Sequence, residues 1–240
     1  MSAATLRALH VPGDPLILPN AWDAGSARRV ERAGFPAVAT TSSGVAESLG
    51  YADGQRTPAD EMLAAVARVA RAVAVPVTAD LEAGYGLDDA ELAERVVDAG
   101  AVGLNLEDTD HPNHPALVPA DRHAARIARI KDSADLVVNA RIDVHLRGGS
   151  TREALERARA YGDAGADCVY PIGVTDEATI AAFAELGVPV NVLLLPSAPR
   201  IARLAELGVA RISLGGILHA EMVRALDGRL AELRERSATR

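Results

Sequence analysis

The sequence predicts one (β/α)8 barrel domain over residues 1–240, with a short solvated tail after about 235. Three observations predict it. One phrase recurs along the chain: an Ala-rich amphipathic stretch, a glycine, then a short apolar run. The apolar runs lack polar alternation, as expected of parallel strands buried on both faces. Polar and charged residues collect where those runs end, the face on which barrels of this class carry their sites. Strands alternating with helices in this way give a parallel sheet, and eight repeats close it. A doubly wound open sheet is the alternative, but no G-x-G-x-x-G follows the first strand and no P-loop occurs.

The first strand lies near 16–20 and ends at Asn20. Trp22 then stands where a pocket wall forms, and Asp23 is placed to cap a helix over 23–33. The second strand, near 37–41, runs into Thr40-Thr41-Ser42-Ser43-Gly44. Hydroxyls and backbone N–H groups in such a turn can cradle an anion, and the same residues make an ordinary turn. Asp53 follows in the loop Gly50-Tyr51-Ala52-Asp53-Gly54, before a helix over 59–73.

The third strand, near 77–81, ends in Asp80-Leu81-Glu82, and period-two alternation places Asp80 and Glu82 on one face. An unpaired carboxylate within an apolar strand is costly, so Asp80 calls for a cation, an arginine such as Arg141, or a loop to cap. After a helix over 88–99, the fourth strand, near 102–107, ends in Glu107-Asp108. Two apolar strands ending in carboxylates suit Mg2+, with Mn2+ as a substitute. Asp108 is placed to orient a water or a neighbouring side chain. His111 and His114 are three apart, but Pro112 and Pro115 argue against a zinc-binding helix.

A helix over 121–131 leads to the fifth strand, near 136–141, and to Asn139-Ala140-Arg141-Ile142-Asp143. The Arg141 guanidinium suits a substrate carboxylate, and its structural alternative is an ion pair with Glu107 or Asp143. His145 lies beyond, at reach of a pocket rim. Helices over 151–164, 175–186, 198–207 and 218–235 separate strands near 168–171, 190–194 and 211–214. Cys168 reads as a small buried apolar group, Tyr170-Pro171 as a shaper of the pocket, and Asn191 as an interior hydrogen-bonding group. Gly34, Gly100, Gly165, Gly187 and Gly208 stand at helix C-termini, where a left-handed residue is needed.

Composition bounds the partners. A net charge of -8 discourages nucleic-acid and anionic-membrane surfaces. One cysteine excludes an intrachain disulfide and a multi-cysteine metal site. No apolar run reaches membrane-spanning length, and no signal peptide is visible, so a cytoplasmic enzyme is expected.

Taken together, Ala79-Asp80-Leu81-Glu82-Ala83-Gly84-Tyr85-Gly86, Leu104-Asn105-Leu106-Glu107-Asp108 and Asn139-Ala140-Arg141-Ile142-Asp143 resemble the isocitrate lyase and phosphoenolpyruvate mutase superfamily, in its carboxyvinyl-carboxyphosphonate phosphorylmutase-like branch. The resemblance covers about residues 16–216. It implies a modified α/β barrel, Mg2+, and a homo-oligomer acting on a small 2-oxo or 2-hydroxy acid. Asp80 would be the principal metal ligand, with Glu82 and Glu107 holding metal-bound waters. Ser43 and Gly44, with Ser42 and Trp22 beside them, would bind the substrate, and Asp53 would orient it from a mobile loop. Arg141 would contact the substrate or its transferred group.

The chain departs from that pattern at 109–119, where many members carry a gating loop with a Lys-Cys-Gly-His-like motif and this sequence has neither Lys nor Cys. His111 or His114 would supply the replacement acid or base. The implied activity is carbon–carbon cleavage or decarboxylation through a pyruvate enolate. Phosphonopyruvate mutase or hydrolase chemistry, or a metabolite-binding barrel without activity, are the alternatives.

Overall fold

The computed structural model describes residues 1–111 and 116–238; His114 lies outside them. In chain order the elements are α1 (Ala3–Ala8), β1 (Leu16–Leu18), β2 (Asn20–Ala21), α2 (Ala24–Arg32), β3 (Val38–Thr40), α3 (Ser42–Leu49), α4 (Ala59–Ala70) and β4 (Val77–Asp80). Then come α5 (Asp89–Asp98), β5 (Gly103–Glu107), β6 (Thr109–Asp110), β7 (Ala116–Leu117), α6 (Ala120–Ser133) and β8 (Val137–Ile142). The chain finishes with α7 (Thr151–Asp163), β9 (Cys168–Pro171), α8 (Glu177–Ala184), β10 (Asn191–Leu193), α9 (Ile201–Glu206), β11 (Arg211–Ser213) and α10 (Ile217–Ala238).

All pairings around the ring are parallel. One run is β10-β11-β1 and the other β2-β3-β4-β5-β8-β9. Pro19 joins them. It lacks an N–H and so interrupts the ladder, which divides the first strand between β11 on one side and β3 on the other. Its carbonyl still accepts from Ala39 N at 3.2 Å. A bridge between Val169 and Val190 closes the circle, with Val169 N donating to Pro189 O at 2.9 Å. The eight expected strands form the (β/α)8 barrel.

Leu92, Val96, Ile127, Ile130, Ile180, Phe183 and Leu204 are fully buried in the main core cluster, between sheet and helices. The expected C-terminal glycines behave as required; Gly165, for example, sits at φ +96° after α7. Asp23 caps α2, accepting from Ser26 N.

Two helices were not expected. α1 covers the N-terminal mouth: Leu6 packs with Leu16, Ala37 and Val137, all at strand starts. A Cβ on Gly103 would lie 3.1 Å from Leu6 Cδ2 and 2.7 Å from Val137 O, so only glycine lets α1 seat there. Arg7 Nε fastens it to Asp167 at 2.6 Å. α3 replaces the expected Ser42-Ser43-Gly44 turn; those residues are its first helical turn, with Thr41 as N-cap. α10 is exposed beyond Val223, so the solvated C-terminal segment is helical to Ala238. Among the described residues no helix is long and apolar enough to cross a membrane.

Candidate functional site

A cavity of about 240 Å³ opens at the C-terminal ends of the strands. Every barrel strand, or the residue that follows it, lines this cavity: Asn20, Thr41, Asp80, Asn105, Arg141, Tyr170, Leu193 and Ser213. Ser42, Ser43 and Asp53 complete the wall from the loops and α3. A second hollow of about 360 Å³ lies outside the ring, lined by Leu87, Asp89, Arg122 and Arg126. Its Arg126 and Arg129 are already paired with Asp89, and none of its lining residues lies on a barrel strand.

Asp80 is the last residue of β4. Its Oδ2 accepts from Ser42 N at 2.9 Å and from Ser42 Oγ at 2.8 Å, so the carboxylate tethers a free N-terminal amide of α3. Its Oδ1 accepts from Asn105 Nδ2 at 3.3 Å. Neutral donors alone hold it in place, and no ion pair joins it to Arg141 among the described residues.

Glu82 does not share a strand face with Asp80. β4 ends at Asp80, and Glu82 has turned to φ +48°; strand alternation cannot be carried past a strand end. It is buried all the same, and reaches the mouth from the loop. Its Oε1 accepts from Tyr85 OH at 2.7 Å and its Oε2 from Gln55 N at 2.7 Å. Tyr85 N donates in turn to Gln55 Oε1 at 2.6 Å. Gln55, Glu82 and Tyr85 are the three non-glycine residues with positive φ among those described. Such conformations persist where the surroundings over-determine them, and here each residue holds the other two. The triangle pins the loop that carries Asp53 across the loop after β4. Burial, followed by the nearby Glu107, Asp53 and Asp80, pushes the Glu82 carboxyl up to about 7 against the Tyr85 hydrogen bond.

Glu107 ends β5 and is buried. One oxygen meets His111 Nε2 and the other Arg141 Nη1. Burial pushes the Glu107 carboxyl up, while its hydrogen bond pushes the His111 imidazole up; both favour a proton held between them. His111 Nε2 is also 3.9 Å from Glu82 Oε2. Ligand atoms of Glu82, Glu107 and His111 all lie within 4.8 Å of one another, a candidate site for a divalent cation. Arg141 takes both ion pairs foreseen as its structural alternative. Beside the Glu107 contact, its Nε donates to Asp143 Oδ1 at 2.6 Å. Burial opposes its charge, but Glu107 and Asp143 hold it cationic.

Behind these groups Asp108 is completely buried. Its Oδ1 accepts from Asp143 N at 2.9 Å, and its Oδ2 from Tyr161 OH at 2.7 Å and Arg157 Nη1 at 3.1 Å. Asp108 thus orients a neighbour: it anchors the backbone of Asp143, which orients Arg141. Thr109 Oγ1 donates to Asp143 Oδ2 at 2.5 Å, tying the base of the β6–β7 hairpin into the same network.

The cavity therefore gathers Ser42, Ser43, Asp53, Asp80 and Arg141, with Glu82, Glu107 and His111 beside them. Trp22 and Gly44 stand elsewhere. Trp22 packs edge-on against His219, with ring centres 5.0 Å apart, and lines a separate groove with Leu218 and Met222. Gly44 lies where an added Cβ would meet Thr41, His219 and Trp22 at 2.8–3.2 Å. Its role is close packing of α3. His145 turns to Thr151 Oγ1 at 3.2 Å rather than into the cavity. Burial pushes the Cys168 thiol up to about 12, as suits a packing group. Sequence reasoning overlooked Asn20, Gln55, Asn105, Ser213 and Arg211. The last three carried a signal: polar residues at i and i+2 within apolar strands (Asn105 and Glu107, Arg211 and Ser213) share the face turned into the barrel.

The family model for phosphoenolpyruvate phosphomutase matches residues 6–234. An uncharacterized protein of Mycobacterium tuberculosis is 37% identical over 215 residues, covering 87% of this chain and 81% of that one. The 2-methylisocitrate lyase of Escherichia coli is 30% identical over 200 residues, covering 74% of this chain and 67% of the lyase. The crystal structure of phosphoenolpyruvate phosphomutase from Streptomyces platensis subsp. rosaceus superposes with a TM-score of 0.87 at 27% identity, over 99% of this chain and 88% of that one.

Proposed function

The chain belongs to the phosphoenolpyruvate phosphomutase family, and from that premise we propose that it is a divalent-cation-dependent lyase. Its substrate in this reading is a small 2-oxo or 2-hydroxy acid, cleaved or decarboxylated at the bond to C3. One observation carries the reading: acidic and basic strand-end groups converge on a cavity sized for a short-chain acid, at the barrel's C-terminal mouth. The similarity to 2-methylisocitrate lyase supports carbon–carbon cleavage in particular.

The donor set fits the cation. Asp80, Glu82 and Glu107 offer the hard carboxylate oxygens that Mg2+ prefers and that suit Mn2+ as well. These residues would hold it; when bound it would supply positive charge beside the oxygen on C2, which gains the electron pair when a 2-oxo acid is cleaved at C3 and gives up its proton when a 2-hydroxy acid is cleaved between C2 and C3. The remaining steps belong to the protein. Arg141, braced on one side by Asp143 and on the other by Glu107, presents a planar donor to a substrate carboxylate. Ser42 and Ser43 offer hydroxyls at the cavity wall. His111 holds a proton at Nε2 against Glu107 and is the candidate donor to the carbon left by cleavage. Asp53 enters from the loop pinned by Gln55 and steers the substrate from above.

Product formation from oxaloacetate, methylisocitrate and phosphonopyruvate, each with Mg2+ and with chelator, tests this. Turnover of a carbon acid that stops on chelation is the expected result, and metal-independent turnover overturns it. The similarity to a phosphoenolpyruvate phosphomutase structure favours a second reading, cleavage or transfer at a P–C bond. Turnover of phosphonopyruvate alone would select it.

A further inference from the structure

Arg211 is the largest fully buried side chain among the described residues. It stands on β11 inside the barrel, and no carboxylate lies within ion-pair distance among the described residues. Burial lowers its pKa, and its Nη1 has no hydrogen-bond partner among the described residues. A buried cation left in this state is costly, and an apolar side chain of similar size would commonly be the more stable choice. Stability therefore does not explain it.

Its contacts do. Nη2 donates to Asn105 Oδ1 at 3.2 Å, and Nε donates to Ser213 Oγ at 3.2 Å. Each acceptor also receives a second donor: Asn139 Nδ2 reaches Asn105 Oδ1 at 2.8 Å, and Asn191 Nδ2 reaches Ser213 Oγ at 3.0 Å. A carbonyl oxygen and a hydroxyl oxygen each have two lone pairs. With both filled, Asn105 has only its Nδ2 to offer, and it offers it to Asp80 Oδ1. Ser213 has only its hydrogen left, and Ser213 lines the cavity. A guanidinium donates and never accepts, so the Asn105 amide has one orientation, and with the Asn191 amide nitrogen facing Ser213 Oγ the Ser213 hydrogen is left for the cavity.

We propose that Arg211 is a positioning residue that fixes the hydrogen-bond polarity of the cavity floor, turning the Asn105 amide toward Asp80 and the Ser213 hydroxyl hydrogen toward an anionic oxygen of the substrate. The inference rests on the reading above in one respect, that the occupant is a small acid. It narrows that reading: the end of the occupant facing Ser213 is an acceptor such as a carboxylate, not an amide or ammonium group.

The test uses the whole chain and two measurements. The first is hydrogen-exchange protection of the Asn105 side-chain amide by NMR in the ligand-free protein. The second is oxalate binding in the presence of Mg2+ by calorimetry. Arg211→Met leaves Asn105 and Ser213 one donor each, so the fold is expected to survive. Amide protection should fall, and oxalate should bind roughly tenfold more weakly, as expected for a hydrogen bond to a charged group. Introduced into Ser213→Ala, the same change should cost about twofold only, because the two residues act as one unit. Arg211→Gln keeps a polar side chain but brings in an acceptor; it should show the same losses and serves if the methionine variant does not fold. Unchanged amide protection together with unchanged oxalate affinity overturns the inference, as do losses that multiply in the double variant. If the unsubstituted protein takes up no oxalate, that counts against the proposed activity, and the Asn105 signal alone decides the role of Arg211.

Discussion

Replacing Glu82 by Gln should flatten the pH dependence of stability in the metal-free protein. Glu82 is 4% exposed, and its carboxyl sits at about 7 in the fold against an ordinary value of 4.5. A carboxyl raised in this way prefers its proton in the native state. Its contribution to stability is whole below 4.5 and is lost as pH rises through 7. At roughly 1.4 kcal/mol per pH unit, the gap is worth about 3 kcal/mol. The substituted amide would be neutral throughout: its oxygen can accept from Gln55 N, and its nitrogen can donate to Tyr85 OH, as the protonated acid does. Urea unfolding of both proteins from about pH 5 to about pH 9, with chelator present, measures the difference directly. The wild type should lose about 3 kcal/mol more than the variant over that range. Mg2+ should recover part of it, since a cation compensates the ionised form. Parallel curves for the two proteins would refute the placement of Glu82 in a desolvated acidic cluster.

Tyr161→Phe removes one donor from the buried Asp108 carboxylate and should cost about 1–3 kcal/mol in unfolding free energy. Activity should fall with it, because Asp108 holds the Asp143 backbone, whereas full activity in a destabilised variant would show that Arg141 is placed by other means. Gly44→Ala puts a Cβ 2.8 Å from Thr41 Cγ2 and should destabilise by about 1–3 kcal/mol, read by thermal or urea unfolding. His111→Ala should lower turnover by about 10²-fold or more, as for loss of a proton donor, while leaving Mg2+ and Mn2+ affinity nearly unchanged; steady-state kinetics beside calorimetry with the two ions would expose a loss of affinity instead.

The barrel was legible because its signals are local. Short apolar runs, Ala-rich amphipathic stretches and C-terminal glycines each speak for themselves, and the strands fall where those runs lie. α3 was not legible for the opposite reason. Ser42-Ser43-Gly44 has turn composition, and its helicity comes from contacts far along the chain: Asp80 takes the free amide of Ser42, and Trp22 and His219 close on Gly44. The site divides in the same way. Asp80, Glu107 and Arg141 were recognisable as charges at strand ends. The partnership of Gln55, Glu82 and Tyr85 was not, because it depends on three left-handed backbones that no residue type announces.

The charges at the mouth separate two ways of holding a dication. Glu107 already meets two cationic groups, Arg141 and His111, and both oxygens of Glu82 already accept hydrogen bonds. Direct ligation by this trio must displace a proton or an arginine. Asp80 carries no such burden: neutral donors orient it, one of them set by Arg211 through Asn105, and it faces the cavity. In the proposed reading, then, Asp80 would bind the cation directly, and Glu82 and Glu107 would contact it through water. In that arrangement His111 keeps its proton, and its loss should impair turnover more than metal affinity. A direct ligand role reverses the order: removing His111 would then abolish binding of Mn2+ before it touched the chemistry.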